Sequence, residues 1–164
     1  MLVLTKDPIE IRALVASVQS RYASAAAAKG LLLECGVDRQ VPPVVSGDAR
    51  RVDQILANLI GNAIKFTAAG RVSLQVRWEP GAGDDGALLC TVADTGIGMG
   101  QEDIAKLFSL FTQADNSRSR SAGGSGLGLA VVRHVLDLMG GHVSVQSKPG
   151  IGSVFTVRIP CQHA

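Results

Sequence analysis

Three polar side chains at helical spacing suit a complex of a nucleotide with a divalent cation. Asn58 and Asn62 are four residues apart, so their side chains are neighbours on one helix, and Lys65 follows about one turn later. Mg²⁺ prefers oxygen ligands and keeps waters and phosphate oxygens around it. An asparagine carbonyl supplies such an oxygen without repelling phosphate, and a lysine offsets phosphate charge. Two asparagines that merely face solvent are the ordinary alternative, against which the glycine-rich segments further along the chain weigh.

A carboxylate followed by two glycines suits recognition of a purine. Asp94 ends an apolar run and precedes Gly96 and Gly98. A carboxylate accepts a hydrogen bond from the exocyclic amine of adenine and repels the carbonyl that guanine presents at that position. The glycines allow a sharp turn and a close approach to a flat ring. Taken alone, the pattern is more typical of a turn that faces solvent.

The sequence GGSGLGLA at residues 123–130 opens a helix and suits phosphate binding. A dinucleotide-binding fingerprint must follow a strand, whereas this segment follows the polar stretch SRSRSA, which excludes a Rossmann site. A P-loop is excluded because no Gly-Lys-Ser/Thr occurs in the chain. A glycine loop at a helix N-terminus remains, where free backbone N–H groups and the helix dipole attract phosphate.

The first half of the chain predicts two helices that flank a strand. Asp7-Pro8-Ile9-Glu10 indicates a helix start with Asp7 as the N-cap, and Lys29-Gly30 indicates its end. Leu31–Val37 predicts a strand, and residues 38–47 predict a loop. Asp48 is expected to cap a second helix that runs to about Phe66. Its apolar stripe comprises Val52, Ile55, Leu56, Leu59, Ile60, Ala63 and Ile64, whereas Arg51, Asn58, Asn62 and Lys65 form a separate polar stripe.

The second half predicts a sheet with one more long helix. Alternation from Val72 to Trp78 and the run Ala87–Ala93 indicate two strands joined by a turn-rich connection at residues 79–86. A short helix is expected at 102–108, a mobile loop at 112–125, a helix from about Leu127 to Met139, and a hairpin at 142–159. The predicted fold is a two-layer α/β sandwich, with a mixed sheet of about five strands, three main helices on one face and a mobile lid.

Composition and charge limit the classes of function. The chain has 164 residues, of which 46% are hydrophobic and 18% charged, and a net charge of +2. These values favour one domain and argue against a nucleic-acid or lipid-surface binder. No apolar run approaches the roughly 20 residues of a membrane span, and the first residues are too short for a signal peptide. Three widely spaced cysteines favour a reduced, cytoplasmic setting over a zinc site.

Five segments in this order resemble the nucleotide-binding boxes of the catalytic, ATP-binding domain of bacterial sensor histidine kinases. They are residues 58–67, 94–100, 107–115, 123–131 and 140–160, and the resemblance extends from about Pro8 to Pro160. The sequence FTQADNS is similar to the form found in hybrid kinases. The resemblance implies a single Bergerat-type domain over residues 1–164, shared with gyrase and with chaperone and mismatch-repair ATPases, without the dimerisation domain.

The resemblance also implies roles for individual residues. Asn58, Asn62 and Lys65 would be catalytic: Asn62 ligating Mg²⁺, Asn58 near the metal or the reacting phosphate, and Lys65 on phosphate. Asp94 would hold the adenine amine, and Gly96 and Gly98 would shape that pocket. Gly126, Leu127, Gly128 and Leu129 would present their backbone to the phosphates. The other nucleotide contacts implied are Ala63, Phe66, Ile97, Met99, Phe111, Arg120, Gly124, Ser125 and Thr156.

Two departures from the family pattern bear on the reaction. The histidine phosphoacceptor motif is absent, and Asn58 stands where gyrase-like relatives have a catalytic glutamate, so no carboxylate is placed there to activate water. We therefore expect a protein-histidine kinase domain that donates the γ-phosphoryl group of Mg²⁺–ATP and does not autophosphorylate alone. Its expected partners are a histidine-bearing dimerisation domain and a response-regulator receiver domain. Nucleic acid and direct membrane contact are not expected, and the isolated domain is expected to be monomeric.

Two alternatives to a histidine kinase remain open. One is a serine kinase of the anti-sigma type from the same superfamily, against which the FTQADNS sequence argues. The other is a degenerate module that binds partners without chemistry, against which Asn62, Asp94 and the glycine loop argue.

Overall fold

Seven strands and three helices make up the part of the chain that the computed structural model describes, residues 3–96, 125–148 and 150–163, with residues 125–130 described by their backbone alone. The strands are β1 (Asp7–Glu10), β2 (Leu32–Val37), β3 (Val44–Gly47), β4 (Arg71–Pro80), β5 (Asp85–Asp94), β6 (His142–Lys148) and β7 (Gly152–His163). The helices are α1 (Ile11–Ala28), α2 (Ala49–Phe66) and α3 (Ser125–Met139). The predicted class is confirmed, but the expected strand number of about five is wrong, because β1 and β3 were not predicted.

The strands form one mixed sheet in the order β1-β3-β7-β5-β4-β2. Only the β2–β4 pair is parallel among the described strands. The 12-residue strand β7 is central, since β5 pairs with one of its edges. Its other edge pairs with β6 at its start and with β3 at its end. This arrangement brings the end of β5 next to the start of β7 and the start of β4.

The helices cover one face of the sheet. Alternate residues of β4 and β7 that point to this face are buried: Val72, Leu74, Val76, Phe155, Val157 and Ile159. The opposite face carries polar residues, among them Arg158, whose Nε donates to Glu79 Oε1 at 2.7 Å. This alternation of apolar and polar residues is typical of a sheet covered on one side, so the structure has two layers. None of the described helices is long and apolar enough to cross a membrane.

Helix α2 lies at the centre of the helical layer and matches its prediction closely. Asp48 is its N-cap, and the carboxylate accepts the backbone N–H groups of Arg51 and Thr5, both at 3.1 Å. All seven residues of the predicted apolar stripe are buried. The buried stripe fixes the rotation of the helix, and therefore which side chains remain on its polar stripe.

Replacing Asp48 with alanine is expected to lower the free energy of unfolding by about 1–2 kcal/mol, because an N-cap acceptor is lost. The measurement is a urea unfolding curve for each variant. Asp53→Ala on the same helix is the matched control, because its exposed ion pair with Arg21 is worth at most about 1 kcal/mol. Equal losses in the two variants would contradict a capping role for Asp48.

The predicted helix start at Asp7–Glu10 is wrong, because these residues form the edge strand β1. Ile9 is 3% exposed and pairs with Val45, and this long-range pairing outweighs the local capping pattern. Pro8 is tolerated because an edge strand leaves one side of its backbone unpaired. Helix α1 begins at Ile11 without a side-chain cap. The Asp7 carboxylate instead accepts the Ala49 N–H at 3.4 Å, so it supports the start of α2.

Some of the other predicted boundaries differ from the structure, and the rest agree with it. The predicted loop at residues 38–47 contains β3, and the connection predicted at 79–86 is shorter, since β4 reaches Pro80 and β5 begins at Asp85. The end of α1 at Lys29-Gly30 is confirmed, and Gly30 has a φ of 70°. The end of α3 and the β6–β7 hairpin are also confirmed. The helix expected at 102–108 and the lid expected at 112–125 lie outside the described residues, except for Ser125, which begins α3.

Candidate functional site

The polar stripe of α2 carries three of the predicted site residues. Asn58 and Asn62 are half-buried, and Lys65 is exposed, with its ammonium 5.9 Å from the centroid of the Phe66 ring. Phe66 ends the helix with 44% of its surface exposed. Ala63 differs from these residues, because it is 6% exposed and belongs to the apolar stripe. The helix thus presents amides, an amine and an aromatic ring next to one another.

The end of α2 is held by Lys29, which the sequence pattern marked only as the end of α1. The Lys29 ammonium donates to the carbonyl oxygens of Ile64 at 2.6 Å and Lys65 at 3.0 Å. These two carbonyls belong to the last turn, whose oxygens lack helical partners. A cation there also interacts favourably with the helix dipole. Lys29 therefore fixes the turn of backbone from which Lys65 and Phe66 project.

Asp94 lies where three strands meet. It pairs with Val72 of β4 and with Ser153 of β7. Its Oδ1 accepts the backbone N–H of Gly96 at 2.8 Å. Burial raises the pKa of the Asp94 carboxyl, and hydrogen bonds from the backbone of Gly96 and Ser153 oppose this rise. The carboxylate is therefore a fixed, partly desolvated acceptor.

The segment after α2 is tied to the residues after β5 through Thr95. Thr95 Oγ1 donates to the Ala69 carbonyl at 3.2 Å and accepts the Arg71 N–H at 3.1 Å. The Thr95 N–H donates to the Arg71 carbonyl at 3.2 Å. These bonds hold the loop between α2 and β4 against the end of β5. The end of α2 and Asp94 are consequently held close to each other.

Two glycines permit this close contact. A Cβ on Gly96 would stand 2.6 Å from the Phe66 carbonyl oxygen, and 3.0 Å from both Asp94 Oδ1 and Thr67 Oγ1. Gly152 has a φ of 141°, and a Cβ there would stand 2.1 Å from the Asp94 carbonyl oxygen. Any side chain at either position would push the backbone away from Asp94. Gly96, which was predicted to shape the pocket beside Asp94, thus lies against both the end of α2 and the end of β5.

Thr156 was expected to contact the nucleotide, but it is Ser153 that lies beside Asp94. Thr156 pairs with Thr91 and points to the polar face of the sheet, away from Asp94, so the structure does not bring it to the other site residues. Ser153 is 6% exposed, pairs with Asp94, and has its hydroxyl 2.8 Å from that of Ser147. The sequence did contain a signal for this, since Ser153 alternates in phase with the apolar Phe155 and Val157.

The helix predicted to bind phosphate begins at Ser125, so the backbone of Gly126, Leu127, Gly128 and Leu129 lies in its first turns. Val132, Val135 and Leu136 bury α3 in the core, where it packs against α2. Six predicted contacts lie outside the described residues, and they are Ile97, Gly98, Met99, Phe111, Arg120 and Gly124.

A metal fits this site only if it is shared with a ligand. Among the described residues, no cluster of three or more His, Cys, Asp or Glu side chains could hold a metal ion. The Asn62 Nδ2 atom is buried and has no hydrogen-bond partner within the described part of the chain. The Nδ2 side of the Asn62 amide is thus not tied to any other described residue by a hydrogen bond. A neutral amide oxygen together with phosphate oxygens and water is the donor set that suits Mg²⁺.

Comparison with known proteins gives a family match over residues 47–163, to the model of the histidine kinase-, DNA gyrase B- and HSP90-like ATPases. The chain is 42% identical over 163 residues to the sensor protein GacS of Pseudomonas syringae pv. syringae, covering 99% of this chain and 18% of GacS. It is 39% identical over 147 residues to the sensor histidine kinase RcsC of Escherichia coli, covering 90% of this chain and 15% of RcsC. The chain thus spans less than a fifth of these relatives.

Solved structures of histidine kinases have the same fold as this chain. The full-length structure of ShkA in complex with AMPPNP superposes with a TM-score of 0.82 at 34% identity, covering 99% of this chain and 32% of that one. The catalytic domain of the histidine kinase ThkA superposes with a TM-score of 0.74 at 22% identity, covering 94% of this chain and 95% of that one. The second likeness concerns the fold alone.

Proposed function

The chain belongs to the family of histidine kinase-, DNA gyrase B- and HSP90-like ATPases, and we propose that it binds Mg²⁺–ATP and donates the γ-phosphoryl group to a histidine on a separate domain. The observation that carries the proposal is the meeting of the end of α2 with Asp94 at Gly96. Groups suited to phosphate and a group suited to adenine thereby belong to one site. The names of the relatives, which include sensor histidine kinases, support the reaction class.

Adenine is the base that Asp94 suits. An ionised carboxylate only accepts hydrogen bonds, so it pairs with the 6-amino group of adenine and repels the 6-carbonyl of guanine. The backbone bonds from Gly96 and Ser153 keep the carboxylate in place before the base arrives. A prepared acceptor loses little entropy on binding, which favours affinity.

The triphosphate would extend from this base toward α2 and α3. Asn62 would hold Mg²⁺, Asn58 would lie near the reacting phosphate, and Lys65 would contact phosphate. When bound, Mg²⁺ neutralises developing charge on the phosphate oxygens. The backbone N–H groups in the first turn of α3 would bind phosphate. These residues act by positioning and by electrostatics, which supply most of the catalysis in phosphoryl transfer.

Transfer to a protein histidine is favoured over hydrolysis by the side chain at Asn58. An amide cannot take a proton from water, so Asn58 cannot serve as a general base. An imidazole nitrogen needs no such base, because its neutral form already carries a lone pair. The acceptor histidine would come from a dimerisation domain, and a response-regulator receiver domain would receive the phosphoryl group next.

The experiment that tests the proposal follows phosphoryl transfer from γ-labelled ATP. The isolated chain is expected to bind ATP and to stay unlabelled. Adding a purified histidine-bearing dimerisation domain is expected to give label on that domain that is lost in acid and kept in base. The Asn62→Ala variant serves as the control and should give no label. Label on the isolated chain, or acid-stable label on the acceptor, would overturn transfer to an external histidine, and the second result would favour a serine kinase.

A further inference from the structure

Thr67 contains a buried hydroxyl that makes no hydrogen bond to any of the residues that the structure describes. The residue follows the last turn of α2 and is 0% exposed. Its Oγ1 atom has no hydrogen-bond partner within the described residues. A buried hydroxyl without a partner costs free energy, and native proteins leave few such groups. A valine of the same shape would avoid this cost, so the hydroxyl at this position calls for a function.

The position of the hydroxyl indicates what it serves. Thr67 Oγ1 and Asp94 Oδ1 each lie 3.0 Å from the point that a Cβ on Gly96 would occupy. The two oxygens are therefore no more than twice that distance apart, and no hydrogen bond joins them. They flank the same glycine, and Asp94 is the group proposed to hold the base. A polar edge of a ligand, or one water on that edge, is of the right size to contact both.

We propose that Thr67 is a specificity residue whose hydroxyl donates a hydrogen bond to ring nitrogen N1 of adenine, directly or through one water. This inference rests on the proposed function. Adenine presents a donor, the 6-amino group, beside an acceptor, N1. Asp94 accepts from the first, and Thr67 donates to the second. Together the two side chains complement the edge by which adenine differs from guanine, whose two groups have the reverse polarity.

A purely structural role for the hydroxyl has no support in its contacts. The backbone N–H of Thr67 donates to the Ile64 carbonyl at 3.4 Å, but that bond does not involve the side chain. Replacing Thr67 with valine removes no hydrogen bond among the described residues and removes a buried polar atom. The melting temperature of the nucleotide-free protein is therefore expected to stay the same or rise.

The test measures binding of ATP and of 1-deaza-ATP, which lacks the N1 acceptor, by calorimetry. The wild-type chain is expected to bind 1-deaza-ATP about 3- to 10-fold more weakly than ATP, as befits one neutral hydrogen bond. Thr67→Val is expected to lose a similar factor for ATP and to bind both nucleotides equally. Thr67→Ser keeps the hydroxyl and should behave as the wild type, which controls for packing.

The binding results distinguish a failure of the role proposed for Thr67 from a failure of ATP binding itself. Equal binding of the two nucleotides by the wild type would overturn the role of Thr67, and this measurement needs no variant. A Thr67→Val variant that still discriminates against 1-deaza-ATP would also overturn it. If the wild type binds neither nucleotide, the proposed function fails as well. If the wild type binds ATP tightly and Thr67→Val binds it equally well, only the inference about Thr67 fails.

Discussion

Replacing Asn62 with alanine is expected to abolish the gain in ATP affinity that Mg²⁺ provides. Asn62 is the proposed protein ligand, and no acidic cluster among the described residues replaces it. Substitution of groups that only support metal ligands costs roughly 10- to 100-fold in affinity, so loss of the ligand itself should cost at least that much. The measurement compares ATP dissociation constants in Mg²⁺ and in a chelator, for both proteins.

The melting temperature of the Asn62→Ala variant distinguishes a loss of metal binding from a loss of folding. The buried Asn62 Nδ2 makes no hydrogen bond to the part of the chain that the structure describes, so the variant should melt near the wild-type temperature without nucleotide. Asp53→Ala is a suitable control, because Asp53 lies nine residues earlier on α2, about half a turn round the helix from Asn62, and pairs with Arg21 of α1. This control should keep the full Mg²⁺ effect. A Mg²⁺ effect that survives in Asn62→Ala would place the metal elsewhere.

The sequence predicted best those features that depend on local periodicity. The apolar stripe of α2 repeats at helical spacing over 18 residues, so its seven buried positions and its Asp48 cap were predicted correctly. The same rotation of the helix places Asn58, Asn62 and Lys65 together. Asp94 was predicted as the polar residue at the end of an apolar run, and it does end β5.

Features that depend on pairing between distant segments were not predictable. Asp7–Glu10 has the composition of a helix start, yet it is a strand because Ile9 pairs with Val45 across the sheet. The four-residue strand β3 is too short for a periodic signal and lies beside two prolines. The contact of Thr67 with Gly96 also escaped prediction, because it depends on the loop that Thr95 closes.

Replacing Asp94 with asparagine is expected to weaken ATP binding and to relax discrimination against GTP. A hydrogen bond to a charged group contributes about 1.5–3 kcal/mol, so the ATP dissociation constant should rise roughly 10- to 150-fold. An asparagine amide also donates, so it tolerates the guanine carbonyl that a carboxylate repels. Competition of ATP and GTP for the site measures both effects. Unchanged preference for ATP in this variant would show that another group recognises the base.

The same substitution should not destabilise the fold at neutral pH, and the pKa of Asp94 gives the reason. Burial raises this pKa in the folded protein, so the folded state binds the proton more tightly than the unfolded chain does. The resulting stability is fully present below the ordinary aspartate pKa and is lost as the pH rises through the raised value. At pH 7 the wild type therefore carries a buried charge that Asp94→Asn lacks. Urea unfolding should show the variant gaining stability relative to the wild type between pH 3 and pH 7. The opposite trend would mean that the bonds from Gly96 and Ser153 outweigh burial, in which case Asp94 would stabilise the fold as well as bind adenine.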